Sequence, residues 1–496
     1  MQIRFSLLYP DPEKHIDDSP LVEHIASAIE DISLDQAIDR FARDSDGYTY
    51  TLDVLRRPLE DPEEILYRQQ VLQDFIAQPG LLDELRLLFK SYDTLETTWR
   101  ELRSSVFLMG MPASAEGILD STYDSLKITA DFARKTASYF NSVRETIEKY
   151  QVASPGLAGI RDYCDQMIQN QSMQRIAQIA GLFQRSTAED YQFKVFTQND
   201  DTLRVIRASV MEVRELEAKT FSSRVKKLAQ GLTRSGQDQT PAVDLGSLHD
   251  EDARNLLSKA LYELYTVLGS VAEAVYNLFR GISGELCFYD TGVRFWQYCK
   301  ASGLSCCYPE LLPMEADTFQ VTGLYDVHLP LDGLRADQIT PMDFDFHGID
   351  GVIIRGPSAT GKTASLRAMG MTQLFAQAGL PVCAASARLS IRGGIFTQFS
   401  AAERDFDAND EAGRFEGEVK EMARILDALA PWSLVLLNET FQTTAYTEGM
   451  EGMQGILECL PALGCRYAFV TQMSIYKNLD PARVTVLDFE KVFHRG

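Results

Sequence analysis

The residues with the most definite chemical purpose are the eight from Gly356 to Thr363, reading GPSATGKT. Glycine and small side chains at this spacing let backbone amides turn into one concavity, and the lysine and hydroxyl that close the run add a cation and a metal-seeking oxygen. This is the pattern of a phosphate-binding P-loop. The loop of Gly356, Pro357, Ser358, Ala359, Thr360 and Gly361 is expected to surround phosphates with its backbone amides, Pro357 shaping the loop without an N–H of its own, helped by the dipole of the helix that starts there. Lys362 is expected to reach the β and γ phosphates, and the Thr363 hydroxyl to ligate Mg²⁺. The expected ligand is ATP or ADP with Mg²⁺. The competing explanation, a chance glycine-rich turn, does not account for the flanks: the apolar run Gly351–Arg355 precedes the loop and the helix-like Ala364–Ala376 follows it.

A second apolar run, Ser433–Leu437, ends in Asn438 and Glu439. A nucleotide-hydrolysing site needs an acidic pair at such a strand end, one acid for the metal and one for the attacking water. Asn438 offers the metal a carbonyl oxygen without charge. Glu439 keeps the carboxylate that orients or deprotonates water, and is the candidate catalytic residue.

These motifs require a strand–loop–helix scaffold, and the chain supplies one in its last third. From Phe319 onward short β-like runs alternate with helix-like ones, the rhythm of an α/β domain with a mainly parallel sheet. From Ser19 to about Tyr150 apolar residues recur at three and four spacings, as in Leu82, Leu85, Leu88, Leu95, Trp99 and Leu102, which predicts packed helices. Asp61 before Pro62, with Glu63 and Glu64 next, predicts a helix starting near Pro62. Tyr191–Phe196 and Leu203–Ile206 alternate around a polar turn, as a hairpin does. The stretch Gln230–Ser247 is rich in breakers and reads as a loop, and helical spacing resumes at Asp252 and runs to about Phe279.

Composition narrows the partners. With 71 acidic against 48 basic side chains the formal net charge is −23, which excludes a protein coated in phosphate-binding cations. Any DNA contact must be local. Between Thr202 and Arg234 basic residues outnumber acidic ones, and Arg204, Arg207, Arg224, Lys226 and Lys227 are candidates for DNA contact; the alternative is a solvated helix face. No apolar run has the roughly 20 residues of a membrane span and no secretory leader is evident, so a cytoplasmic protein without membrane attachment is expected. The eight cysteines are scattered, and the adjacent pair Cys306–Cys307 reads as buried thiols and not as a metal site.

Three stretches together resemble the MutS family of DNA mismatch-repair ATPases: Leu55–Ile65 with Arg68, Gln69 and Val71; Phe415–Leu426, reading FEGEVKEMARIL; and Ser433–Glu439, reading SLVLLNE. The resemblance implies an α+β multidomain chain, with a helical core and lever region followed by an α/β P-loop ATPase domain of the ABC type. Residues 1–120 would form the helical core and 121–300 the long lever helices, with a small β-containing clamp-like insertion near 190–235. Residues 301–496 would form the ATPase domain. It further implies a homodimer that uses ATP binding and slow hydrolysis to close on DNA without reading sequence.

Several family positions differ. Gly413 stands where the signature loop carries a serine, Gln472 where a switch histidine is expected, Met342 where a base-proximal asparagine is common, and Thr440–Thr444 replaces a glycine-containing loop. Gln472 can still bond a phosphate oxygen as a neutral amide. No phenylalanine is followed two residues later by glutamate, so the mismatch-reading wedge is not expected. These substitutions and the acidic charge leave a second reading open, a nucleotide-dependent scaffold that does not hydrolyse ATP and serves a protein partner.

Overall fold

The structure is a computed structural model that describes residues 5–15, 23–108, 114–183, 188, 191–199, 205–215, 242–243, 251–399, 411–441 and 446–489. Four helices come first: α1 (Glu23–Asp31), α2 (Leu34–Phe41), α3 (Ser45–Leu55) and α4 (Pro62–Ala77). The α4 start is as the residues predict, since the Asp61 carboxylate accepts from the Glu63 amide at 2.9 Å and Pro62 opens the first turn. Longer helices follow, α5 (Pro79–Leu108), α6 (Ala115–Glu148), α7 (Pro155–Gln169) and α8 (Gln171–Leu182), then strands β1 (Tyr191–Asn199), β2 (Val205–Glu215) and β3 (Ala242–Val243), and helix α9 (Glu251–Ala301).

The chain divides into two compact units. The first comprises residues 1–5, 83–151 and 159–283. Its core is aromatic: Trp99 stacks on Phe132 with ring centres 4.5 Å apart, and Phe279 meets Phe89, Tyr92 and Phe140 at 5.1 to 5.5 Å. Such pairs add directional packing to the area they bury. The expected hairpin is present, with β1 antiparallel to β2 and two register irregularities. The turn between them, Arg204, Arg224, Lys226, Lys227 and most of Gln230–Ser247 lie outside the described residues. Residues 205–215 form a strand, which corrects the alternative of a helix face for that part of the basic segment.

The second unit comprises residues 6–82, 152–158 and 284–496. It adds β4 (Glu310–Leu312), β5 (Thr318–Leu324), α10 (His328–Leu331), β6 (Met342–His347), β7 (Gly351–Arg355), α11 (Lys362–Ala378), β8 (Ser386–Ser390), β9 (Ile395–Phe399), α12 (Glu411–Ala428), β10 (Leu434–Asn438), α13 (Tyr446–Ala462), β11 (Arg466–Val470) and β12 (Val484–Asp488). A helical N-terminal region is thus followed by a mixed α/β region. Five strands in the order β12-β7-β11-β10-β9 pair in parallel throughout. Burial of β7 and β10 on both faces explains why they read as unbroken apolar runs. A second sheet, β4-β8-β5-β6, is mixed, a layer the alternating rhythm did not reveal.

Asp317 links the two sheets: its carboxylate accepts from Arg392 at 3.0 Å and from Arg466, at the start of β11, at 2.7 Å. Gly351 is required where β7 meets β11, because a Cβ there would stand 2.3 Å from the Tyr467 ring.

Helix α9 runs 22 residues beyond the expected end near Phe279, with Gly281 and Gly284 inside it. Gly284 is there for packing: a Cβ would come within 2.6 Å of the Tyr50 ring, so its absence lets α3 and α9 approach. One residue on, Glu285 is buried and accepts from the Ser6 hydroxyl and the Leu7 amide, both at 2.6 Å. Burial raises its pKa to about 7, against the opposing effect of those two hydrogen bonds and of Arg68. Because the folded carboxyl holds its proton more tightly than the unfolded one, this site contributes its full stability below the ordinary glutamate range and loses it as pH rises toward 7. Natural protein compared with Glu285→Gln in urea titrations should lose about 3 kcal/mol of relative stability between pH 4.5 and pH 8. A difference between the two that stays constant with pH would refute the assignment.

Candidate nucleotide site

Strand β7 delivers the chain to Gly356, where φ is 146°, and the loop then bends through Ala359 at φ 60° and Gly361 at φ 88°. Glycine tolerates these values freely, whereas Ala359 holds a conformation that L side chains seldom adopt. The outcome is a tight loop with Pro357, Ser358, Ala359 and Gly361 exposed, feeding straight into α11.

Two features of α11 fit a phosphate ligand. Its N-cap, Gly361, has no side chain to cap with, and no acidic residue lies in its first turn, so neither device that normally serves the first orphan amides is in place. An anion is the remaining partner of matching charge. The Lys362 side chain is buried, and its ammonium donates to the carbonyls of Gly356 at 2.8 Å and Pro357 at 2.7 Å. It is therefore folded over the loop that would hold the phosphates, and those neutral acceptors are weaker partners than a phosphate oxygen.

The sheet brings the other motifs to the same edge. The order β7-β11-β10 puts the ends of three strands side by side, where the Thr471 amide donates to the Ile354 carbonyl at 3.0 Å and the Glu439 amide to the Val470 carbonyl at 2.9 Å. Asn438 closes β10, and the Thr363 hydroxyl donates to its Oδ1 at 3.4 Å. Hydroxyl and amide oxygens are thus adjacent, and they are the donors from which Mg²⁺ binding would be built, with the Glu439 carboxylate one residue on. Gln472 is exposed and lies two residues past the end of β11, the strand between β7 and β10.

Glu439 is half-buried, with φ 55°, and Phe441 follows at φ 62° with its ring buried. A clasp holds this turn: Glu418 of α12 accepts from the Phe441 amide at 2.9 Å, and the Thr440 hydroxyl donates to the Gln398 carbonyl at 3.3 Å. Glu418 was visible in the sequence only as one position of the FEGEVKEMARIL segment; its acceptor role there could not be read. Gly413 lies in the first turn of α12. Met342 stands against α11, its sulfur accepting from the Ser365 hydroxyl at 3.4 Å. Gln442–Thr444 lie outside the described residues.

The far end of α11 is also fixed. Its buried Gln377 donates to the carbonyls of Leu59 and Arg392, both at 3.0 Å, and the Leu59 amide donates back to the Gln377 carbonyl at 3.0 Å. The helix stops at Gly379, where φ is 81° and a Cβ would strike Arg68 at 2.7 Å. Arg68 donates to the Ala378 carbonyl at 3.4 Å and to the Leu8 carbonyl at 3.0 Å. The Leu59–Arg68 segment is thus a socket for the end of the loop helix.

Of the candidates for DNA contact, only Arg207 falls among the described residues. It is exposed and paired with Glu263 at 2.5 Å. Among the described residues no helix is long and apolar enough to cross a membrane.

Comparison with known proteins matches residues 352–490 to the family described as MutS domain V, an ATPase domain, which implies ATP binding. The DNA mismatch repair protein MutS of a Synechococcus species is 36% identical over 181 residues, covering 36% of this chain and 20% of that protein. Endonuclease MutS2 of Symbiobacterium thermophilum is 33% identical over 35% of this chain and 21% of its own length. The DNA mismatch repair protein MutS of Trichormus variabilis is 25% identical over 454 residues, covering 80% of this chain and 47% of that protein. The chain therefore spans less than half the length of each of these relatives. The P-loop, the Asn438–Glu439 strand end and the α12 clasp all lie inside the matched region, so residues 352–490 form a MutS domain V, with homology to MutS and MutS2 proteins over part of the chain.

Proposed function

We propose that this protein is a dimeric, ATP-driven clamp that closes on DNA in repair or recombination without reading mismatches or sequence. The observation that carries the reading is the uncapped start of α11 beside Lys362, within a domain matched to MutS domain V. Gly356 to Thr363 hold the phosphates of ATP or ADP, Gln472 adds a neutral donor, and Thr363 with Asn438 provides oxygens to Mg²⁺. Glu439 is placed to orient water. Residues 1–120 serve as core, 121–300 as levers with a clamp-like insertion near 190–235, and 301–496 as the motor. The names of the relatives, mismatch repair and endonuclease, favour a DNA substrate.

DNA contact falls to Arg204, Arg207, Arg224, Lys226 and Lys227. Arg207 already pairs with Glu263, a half-buried carboxylate that also accepts from the Ser209 hydroxyl, so phosphate must displace Glu263 from the exposed Arg207 side chain. Binding by such a cluster falls steeply with salt: five phosphate contacts give a log–log slope of about −4 to −5 on duplex DNA. Fluorescence anisotropy of labelled duplex with ATP and Mg²⁺ across 50 to 300 mM salt tests this. The absence of salt-sensitive binding removes the DNA clamp.

The neutral Asn438, Gly413 in α12 and the net charge of −23 favour a second reading, a scaffold that binds ATP, does not hydrolyse it and engages a protein partner. ATP binding without turnover or DNA affinity would select it.

A further inference from the structure

Away from the nucleotide site, the second unit buries three thiols close together. Cys299 lies in the last turn of α9, Cys306 in the chain leaving that helix, and Cys383 just past α11, with exposures of 0%, 6% and 6%. Cys307 and Val382 form an antiparallel bridge and exchange both backbone hydrogen bonds, at 3.1 and 2.8 Å. Cys306 and Cys383 each adjoin that bridge, one residue from Cys307 and from Val382, and the backbone turns tightly at Cys383, where the Ala384 amide donates to the Val382 carbonyl at 2.9 Å.

The Cys299 sulfur is the common acceptor. The thiols of Cys306 and Cys383 hydrogen-bond to it, and the Tyr325 hydroxyl donates to it from 3.5 Å. Donors converging on one sulfur favour its thiolate, and they hold the Cys299 thiol below its ordinary range although burial opposes this. The hydrogen bond it gives to Cys299, together with burial, pushes Cys306 up; burial does the same for Cys383. One sulfur is thus prepared as a nucleophile with two protonated neighbours beside it.

We propose that Cys299, Cys306 and Cys383 form an oxidisable thiol centre, in which a peroxide-class oxidant closes one disulfide ending at Cys383. The Cys299 thiolate attacks a peroxide oxygen, the O–O bond breaks, and hydroxide leaves a sulfenic acid. The Cys383 thiol then attacks that sulfur, an S–S bond forms as the S–O bond breaks, and water departs. Two sulfurs supply the two electrons that reduce one hydrogen peroxide to two waters. Attack of the Cys306 thiol on the Cys383 sulfur, with Cys299 leaving as thiolate, can carry the bond to Cys306 and Cys383, keeping Cys383 as one end. Either bond ties the end of α9, or the chain leaving it, to the residues just beyond the loop helix.

The test uses the reduced full-length protein, exposed to hydrogen peroxide while folded, then denatured, alkylated and mapped by mass spectrometry without reduction. The expected result is two free thiols fewer than the eight of the reduced chain, and a linked peptide joining Cys383 to Cys299 or Cys306. Dithiothreitol should restore all eight, and Cys459→Ser, which removes an exposed thiol, should leave the link intact. Full alkylation of Cys383, cross-links running only through Cys459, or sulfinic acid at Cys299 without a bond would each overturn the proposal. Mapping the natural protein keeps the result independent of how well Cys383→Ser folds.

Discussion

Lys362→Ala should weaken ATP binding by about 100-fold or more in calorimetry with Mg²⁺ present. Each charge-assisted hydrogen bond from the ammonium to phosphate oxygens contributes roughly 1.5 to 3 kcal/mol, and two of them already correspond to that factor. The substitution also removes the bonds that fold the side chain onto Gly356 and Pro357, so the loop loses part of its preorganised shape. Lys362→Arg separates the two effects, because it keeps the charge and changes the reach. A folded Lys362→Ala protein with undiminished ATP affinity would show that the phosphates do not lie against this loop.

Glu439→Gln should slow hydrolysis by about 10² to 10⁴ while leaving ATP affinity within a fewfold, since a general base contributes to the chemical step and little to ground-state binding. Single-turnover measurements at saturating ATP isolate that step. The neutral Asn438 beside it makes the result decisive between the two functional readings: equal rates in both proteins would leave no carboxylate at the strand end to drive water, and the scaffold would stand.

The nucleotide loop, its strand and its helix were legible because each constraint there is local: glycines for positive φ, an apolar run for a strand buried on both faces, a lysine and a threonine at fixed offsets. The α4 start was legible for the same reason, since Asp61 and Pro62 act on their own turn. The end of α9 was not. Glycines at 281 and 284 weaken a helix by intrinsic preference, and only the approach of Tyr50, more than two hundred residues away in sequence, shows what Gly284 is for. The mixed sheet, the Glu418 clasp and the socket around Arg68 depend likewise on partners distant along the chain. Arg68 was singled out by resemblance, but its bonds to Leu8 and Ala378 belong to the fold.

The turn that carries Glu439 stores energy. Two non-glycine residues in succession but one adopt left-handed backbone there, each at a cost of about 1 to 3 kcal/mol, and α12 supplies the acceptor that keeps the second in place. Loss of the Glu418 acceptor would free the Phe441 amide and remove one of the two bonds that hold this backbone, the other being the Thr440 hydroxyl on Gln398. If Glu439 is the carboxylate that acts on water, as proposed, its position then depends on where α12 sits as well as on the strand that carries it.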